Sequence, residues 1–256
     1  MQRLDKLLSE AGVASRKELK TVIRAGRVAV DGEVVRNPET KVDEKTALVT
    51  VDGKQIGRQR TVVLMLHKPA GYVTSTDDPR DKTVMELIPQ EYRYLDPKPV
   101  GRLDKETEGL LLFTNDGQLA HRILSPKSRI WKRYYAEHEG QADDADIAAF
   151  AEGITLKDGD RCLPARLRPQ GPGRSLVEIC EGKYHQVRRM LASRGMPVTY
   201  LKRIAEAGLE LGDLPLGRVR EIEAESLLVH GDIAQRNYGI ESPEKGAQIG
   251  HHDEKL

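Results

Sequence analysis

The sequence predicts an α+β fold over 256 residues, divided into a small head, a larger body and a polar tail. Two observations carry this reading. Predicted helices and strands do not alternate strictly, which argues against a doubly wound parallel sheet. A hydrophobic content of 38% can bury a modest core, and the length allows one large domain or two small ones. The expected units are residues 1–58, residues 61–232 and a flexible tail over residues 233–256.

The head begins with Leu4, Leu7, Leu8 and Ala11 at helical spacing, and Gly12 stands where a helix would stop. Ser15 opens a second helix. Glu18 completes a capping-box pattern, Leu19, Val22 and Ile23 supply an apolar arc, and Gly26 is placed to end it. Val28 and Val30 then alternate, Asp31-Gly32 is a hairpin turn signal, and Val34-Val35 return. The head is thus expected as two short helices and a hairpin. Residues 54–60 have little periodicity and read as a linker.

The body starts at Thr61 with an apolar strand candidate over Val62 to Leu66, followed by the turn-rich Lys68-Pro69-Ala70-Gly71 and a loop at Ser75 to Pro79. A second apolar strand spans Leu110 to Phe113. Asn115-Asp116-Gly117 breaks the chain before a helix carrying Leu119, Ala120, Ile123 and Leu124. A helix near 143–152, turns at Asp158-Gly159 and Gly171-Pro172-Gly173, a strand over Leu176 to Cys180 and a helix over Gln186 to Ser193 complete it. Beyond about Gly231 the pattern fades into polar residues, and His251-His252 there reads as incidental rather than as a metal site.

Composition excludes several classes. No apolar run approaches the roughly 20 residues of a membrane helix, and Arg3, Asp5, Lys6 and Glu10 interrupt any signal-peptide pattern. With only Cys162 and Cys180, a disulfide framework or a thiolate metal site is not expected. The reading is a soluble protein of a reducing, cytoplasmic compartment, a monomer that uses no metal and no cofactor. Phosphate-cradling loops, zinc-spaced His/Cys clusters and Gly-x-Ser-x-Gly are missing, so any chemistry runs on a carboxylate, a phenol and guanidinium groups.

The 41 lysines and arginines nearly balance 40 carboxylates, but the charge is patterned. Residues 1–28 carry seven basic and three acidic side chains, and Lys183 to Arg220 carry eight and three. At 100° per residue, Arg16, Lys20, Arg24 and Arg27 share an arc of roughly 80° on the second predicted helix. Like charges at that spacing repel, so a helix carrying them without acidic partners points to a polyanion.

Three segments are dense in reactive side chains. In the run from Gly101-Arg102-Leu103-Asp104 to Asn115-Asp116-Gly117, a charged loop enters a buried strand and places Asp104 at its mouth. Arg-Leu-Asp-Lys also occurs at Arg3 to Lys6, so the tetrapeptide alone proves nothing. Trp131-Lys132-Arg133-Tyr134-Tyr135 concentrates aromatics beside cations in a chain only 4% aromatic, which suits stacking on a base. An alternating edge strand with one tyrosine in the core reads the same segment equally well. Glu181-Gly182-Lys183-Tyr184-His185-Gln186-Val187-Arg188-Arg189-Met190 opens a helix whose apolar face leaves Arg188 and Arg189 directed elsewhere.

Together these segments resemble the pseudouridine synthases of the ribosomal small-subunit synthase A family, which includes large-subunit rRNA enzymes. Lys68-Pro69-Ala70-Gly71-Tyr72, Lys132 to Tyr134, and Leu201-Lys202-Arg203 through Arg220 support the match. The head resembles a ribosomal protein S4-type RNA-binding domain. The resemblance covers about residues 2 to 230 and implies a catalytic domain on a mixed, largely antiparallel sheet.

It further implies that Asp104 is the catalytic carboxylate, attacking C1′ of the sugar or removing the C2′ proton. The reaction breaks the N1–C1′ bond of a uridine, turns the base and joins C5 to the same carbon, with no group donor. Arg188 is expected to pair with Asp104, lowering its pKa and fixing its orientation. Arg102 and Tyr134 are expected against the substrate, Tyr134 stacking on the target base, with Tyr135 the alternative if the strand is shifted by one. Arg3, Lys6, Arg16, Lys17, Lys20, Arg24 and Arg27 are assigned to RNA docking. The partner is rRNA or an assembling ribosomal subunit, and Ser75-Thr76-Asp77-Asp78-Pro79 favours the 16S branch. A 23S target, a catalytically idle assembly factor and an RNA N-glycosidase that releases uracil remain alternatives.

Overall fold

A computed structural model describes residues 1–44, 46–56 and 61–227. The tail expectation and His251-His252 lie outside the described residues. Within the head, β1 (Gln2–Arg3) leads into α1 (Leu4–Glu10) and α2 (Arg16–Arg24), followed by β2 (Val28–Val30), β3 (Glu33–Val34), β4 (Lys41–Val42), β5 (Val49–Val51) and β6 (Lys54–Ile56). The capping box forms as expected: the Glu18 amide donates to Ser15 Oγ and the Ser15 amide to the Glu18 carboxylate. Leu4, Leu8, Leu19, Ile23, Val28 and Val49 form a separate buried core.

Two expectations for the head need correction. Lys54–Ile56 is not linker but the last strand of a sheet ordered β3-β2-β5-β6, turned back on Val49–Val51 through Asp52-Gly53. Lys54-Gln55-Ile56 carries one apolar residue and so shows no alternation, although Asp52-Gly53 was a readable turn signal of the same kind as Asp31-Gly32. Arg27 does not share the stripe on α2, because the helix ends at Arg24 and Gly26 takes a φ of +75°.

The body is organised around one twisted sheet in the order β11-β12-β10-β13-β9-β7-β15. Its members are β7 (Val63–Lys68), β8 (Lys98–Val100), β9 (Glu108–Thr114), β10 (Lys132–His138), β11 (Arg166–Pro169), β12 (Arg174–Ile179), β13 (Val198–Glu206), β14 (Leu209–Glu210) and β15 (Val219–Glu221). Among these, β13 pairs β9 in parallel, while β7, β8, β10, β11, β12, β14 and β15 join antiparallel, so the sheet is mixed and largely antiparallel. The helices are α3 (Gln90–Arg93), α4 (Gly117–Leu124), α5 (Asp144–Glu152) and α6 (Gln186–Ser193).

Strands β7 and β9 read as continuous apolar runs because both of their faces are covered. Leu64, Leu66, Leu111 and Phe113 face a core shared with Phe150, Met190 and Leu191. Val63, Met65, Leu110 and Leu112 face a second core with Leu119, Ile123 and Leu214. The parallel junction of β13 on β9 demands glycine at position 109. Its φ is +110°, and a Cβ there would overlap the backbone of Arg203. That close approach brings the middle of β13 beside the strand that follows the Asp104 loop.

Candidate active site

Residues 101–107 form the loop between β8 and β9, and Lys68 holds it. This lysine is fully buried at the end of β7. Its ammonium donates to the carbonyls of Pro69, Asp104, Lys105 and Thr107 at 2.9 to 3.1 Å. Thr74 Oγ1 adds a bond to the Leu103 carbonyl at 2.8 Å. The backbone of Asp104 is therefore fixed, while its side chain stays about one-third exposed. Burial pushes the Lys68 ammonium down to about 8, against the pull of Glu106, Asp104 and Glu108.

Asp104 opens into a cleft of about 700 Å³ bounded by its own loop, the end of α4, β10 and the segment entering α6. The lining carries Arg102, Lys105, Lys132, Lys183 and Arg203 against the carboxylates Asp104 and Glu181. Three of these cations have carboxylate partners of their own, Lys105 with Asp81, Lys183 with Asp160 and Arg203 with Glu206, whereas Arg102 and Lys132 form no ion pair among the described residues and remain to meet an anionic ligand.

Tyr134 lines this cleft and Tyr135 does not. Along β10, Tyr134, Ala136 and His138 are buried, whereas the Tyr135 hydroxyl donates to Glu137 on the opposite face. The segment is not an edge strand: β10 lies between β12 and β13. Tyr134 stands directly across from Arg203, beside a register irregularity between Arg133 and Tyr134. Arg203 is 1% exposed, donates to the Leu110 carbonyl at 2.7 Å and pairs with buried Glu206 at 3.1 Å. Burial raises the Tyr134 pKa and keeps it a neutral phenol, partly opposed by the Arg203 charge and hydrogen bond.

The pairing of Arg188 with Asp104 is not what the structure contains. Arg188 Nη1 donates to the Val198 carbonyl at 3.4 Å, and its side chain is not part of the cleft wall. On α6, Val187 and Met190 face the core, and Arg188 is turned about 100° from Val187. The group beside the carboxylate is His185, with Nε2 at 3.5 Å from Asp104 Oδ1. His185 adopts a left-handed backbone, φ +48° and ψ +34°, at the entry to α6.

Two comparisons decide the family. A model described as RNA pseudouridylate synthase matches residues 62–193, and one described as S4 domain matches residues 2–48. The chain belongs to the RNA pseudouridylate synthase family. An RNA pseudouridine synthase of Bacillus subtilis (strain 168) is 41% identical over 88% of this chain and 96% of its own length. Ribosomal small subunit pseudouridine synthase A of Pseudomonas aeruginosa is 38% identical over 88% and 98%. A crystal structure of a pseudouridylate synthase superposes with a TM-score of 0.61 and 31% identity, covering 88% of this chain and 97% of that one.

As an S4-bearing pseudouridylate synthase, the chain carries its head cations in a different state from the one expected. Arg3 and Arg16 pair with Asp5, whose carboxylate is fully buried, and Arg3 also reaches Glu39. Lys6 pairs with Glu10, and Arg27 with Asp52. Acidic partners for the stripe come from elsewhere in the head, which helical spacing alone cannot reveal. Lys17, Lys20 and Arg24 form no ion pair among the described residues. In the catalytic half, Lys68, His185 and Arg203 stood in the quoted motifs without roles. The readable signal for Lys68 was a lysine ending an otherwise apolar strand.

Proposed function

We propose that this pseudouridylate synthase isomerises a uridine of rRNA, with Asp104 as the catalytic carboxylate and 16S rRNA as the substrate. The observation that carries it is the juxtaposition of a one-third-exposed, backbone-locked carboxylate with a buried tyrosine in one cleft. Reaching C1′ requires the nucleotide to leave its stack, at a cost of a few kcal/mol. Tyr134 then receives the base, and Arg102, exposed at the rim, receives phosphate.

The reaction is balanced within the substrate. The N1–C1′ bond breaks, C5 bonds to C1′, the C5 proton is lost and N1 gains one. Asp104 serves as nucleophile at C1′ or base at C2′, and either role uses an ionised carboxylate. Lys68 fixes the loop through its carbonyl bonds, and the neutral Tyr134 phenol offers a flat face without a competing charge. His185 takes the place beside Asp104 that was expected of Arg188, and Arg188 holds the start of β13 through the Val198 carbonyl. Lys17, Lys20 and Arg24 dock RNA directly, with Arg3, Lys6, Arg16 and Arg27 shaping the head's field through their ion pairs.

The 16S assignment is supported by the resemblance of Ser75-Thr76-Asp77-Asp78-Pro79 to the small-subunit branch, and the following Asp81 pairs with Lys105 of the Asp104 loop at 2.6 Å. The small-subunit name of the Pseudomonas aeruginosa relative points the same way. Mapping pseudouridines in both rRNAs after deletion of the gene tests it. Loss of one 16S site is expected, and loss confined to 23S rRNA overturns the assignment.

A further inference from the structure

An exposed aromatic ring stands at the mouth of the cleft with no part in the chemistry described above. Tyr184 is 76% exposed, and its ring lies parallel to that of His185, with centroids 3.9 Å apart and planes within 15°. His185 in turn reaches Asp104. An aromatic ladder thus runs from the reacting carboxylate to the surface and ends in a free π-face.

The ladder is held rigidly. The Gln186 side chain is buried and braces the segment twice, accepting from the Lys183 amide at 2.9 Å and donating to Glu181 at 2.6 Å. Arg189 donates to the Tyr184 carbonyl at 3.2 Å and is itself anchored by Asp158. Apart from its stack on His185, a large aromatic side chain left 76% exposed on a braced turn has no packing role to account for it. Base–aromatic stacking does account for it, because every base offers a π-face and the backbone that carries the ring is braced. Charge agrees: across the rim, Arg102 is exposed and forms no ion pair among the described residues.

We propose that Tyr184, backed by His185, is the platform on which the base adjacent to the extruded uridine stacks. This rests on the reading of the cleft as a uridine site. Extrusion of one nucleotide leaves its neighbour with an uncovered face, and the Tyr184 ring covers it beside Asp104. Substrate preference around the target then reflects stacking strength more than hydrogen-bond pattern, favouring a purine at that neighbour.

The test uses full-length protein and rRNA from cells lacking the gene, supplied naked and as subunits. Tyr184→Ala raises KM about 5- to 150-fold, the loss of one base–aromatic stack, while kcat falls less than twofold. Tyr184→Phe restores KM and Tyr184→Leu does not. The fluorescence of Tyr184→Trp is quenched by the same RNA, measured against the single native Trp131. An unchanged KM in the alanine variant, rescue by leucine, or a fall in kcat alone overturns the platform, the last because Tyr184 would act through His185. Quenching without any pseudouridine formed by the native protein overturns the uridine reading and leaves the platform standing.

Discussion

Lys68 presents three ammonium hydrogens to four carbonyl oxygens in a site without water contact, and two consequences follow at the level of this residue. The folded lysine loses its proton near pH 8, whereas an unfolded one keeps it to about 10.5. Between those values the unfolded chain binds more protons, so the stability contributed by this site rises with pH. Turnover moves oppositely, because a neutral amine has two hydrogens for the same carbonyls and the Asp104 loop loosens. We expect kcat to fall as pH rises through about 8 while the denaturation midpoint rises relative to Lys68→Met, in which both dependences flatten. A fall in kcat of equal shape in that variant would assign the pH dependence elsewhere. Asp104 and Tyr134 were singled out through the family resemblance, since the tetrapeptide and the tyrosine pair alone left them open, and the fold brings both to one cleft. His185 and Arg203 were not, because their roles depend on a helix entry and a strand register set by distant residues.

At the scale of elements, the parallel contact of β13 with β9 positions the cleft, and Gly109 permits it. Gly109→Ala combines left-handed strain with overlap on the Arg203 backbone, at about 3 kcal/mol in total. The expected readout is a lowered melting temperature with residual activity lost in proportion to unfolding; an unchanged melting temperature would contradict the requirement for glycine at this junction. The head makes a second case. Arg16→Ala removes a partner of buried Asp5 and destabilises the head by about 1 kcal/mol, discounted because Arg16 is half-exposed. Lys20→Ala with Arg24→Ala leaves the fold intact and lowers the slope of log affinity against log salt by about 1.5. An unchanged slope would make α2 a solvated face. The elements themselves were well marked by caps and turns, as at Ser15, Asp116 and Asp143. β6 escaped because Lys54-Gln55-Ile56 carries one apolar residue, and the nine-residue β13 escaped because its charged and apolar residues gave no strand pattern before its partners were known.

Taken as a whole molecule, near-zero net charge conceals two basic surfaces and one carboxylate cleft. Segment-by-segment counting revealed the excess, but only the fold separates cations engaged by Asp5, Asp52 and Asp158 from those left for RNA. The α+β class followed from the irregular order of helices and strands, whereas the central place of β10 and the parallel junction of β13 with β9 are long-range pairings with no local signature. The central claim is that Asp104 converts uridine to pseudouridine in rRNA. Replacing Asp104 by Asn keeps the loop's carbonyl bonds to Lys68 and removes only the charge. In cells carrying Asp104→Asn as the sole copy, pseudouridine mapping of both rRNAs should show the same site lost as in the deletion, with the variant folded and still binding RNA. Retention of pseudouridine at that site would contradict the account.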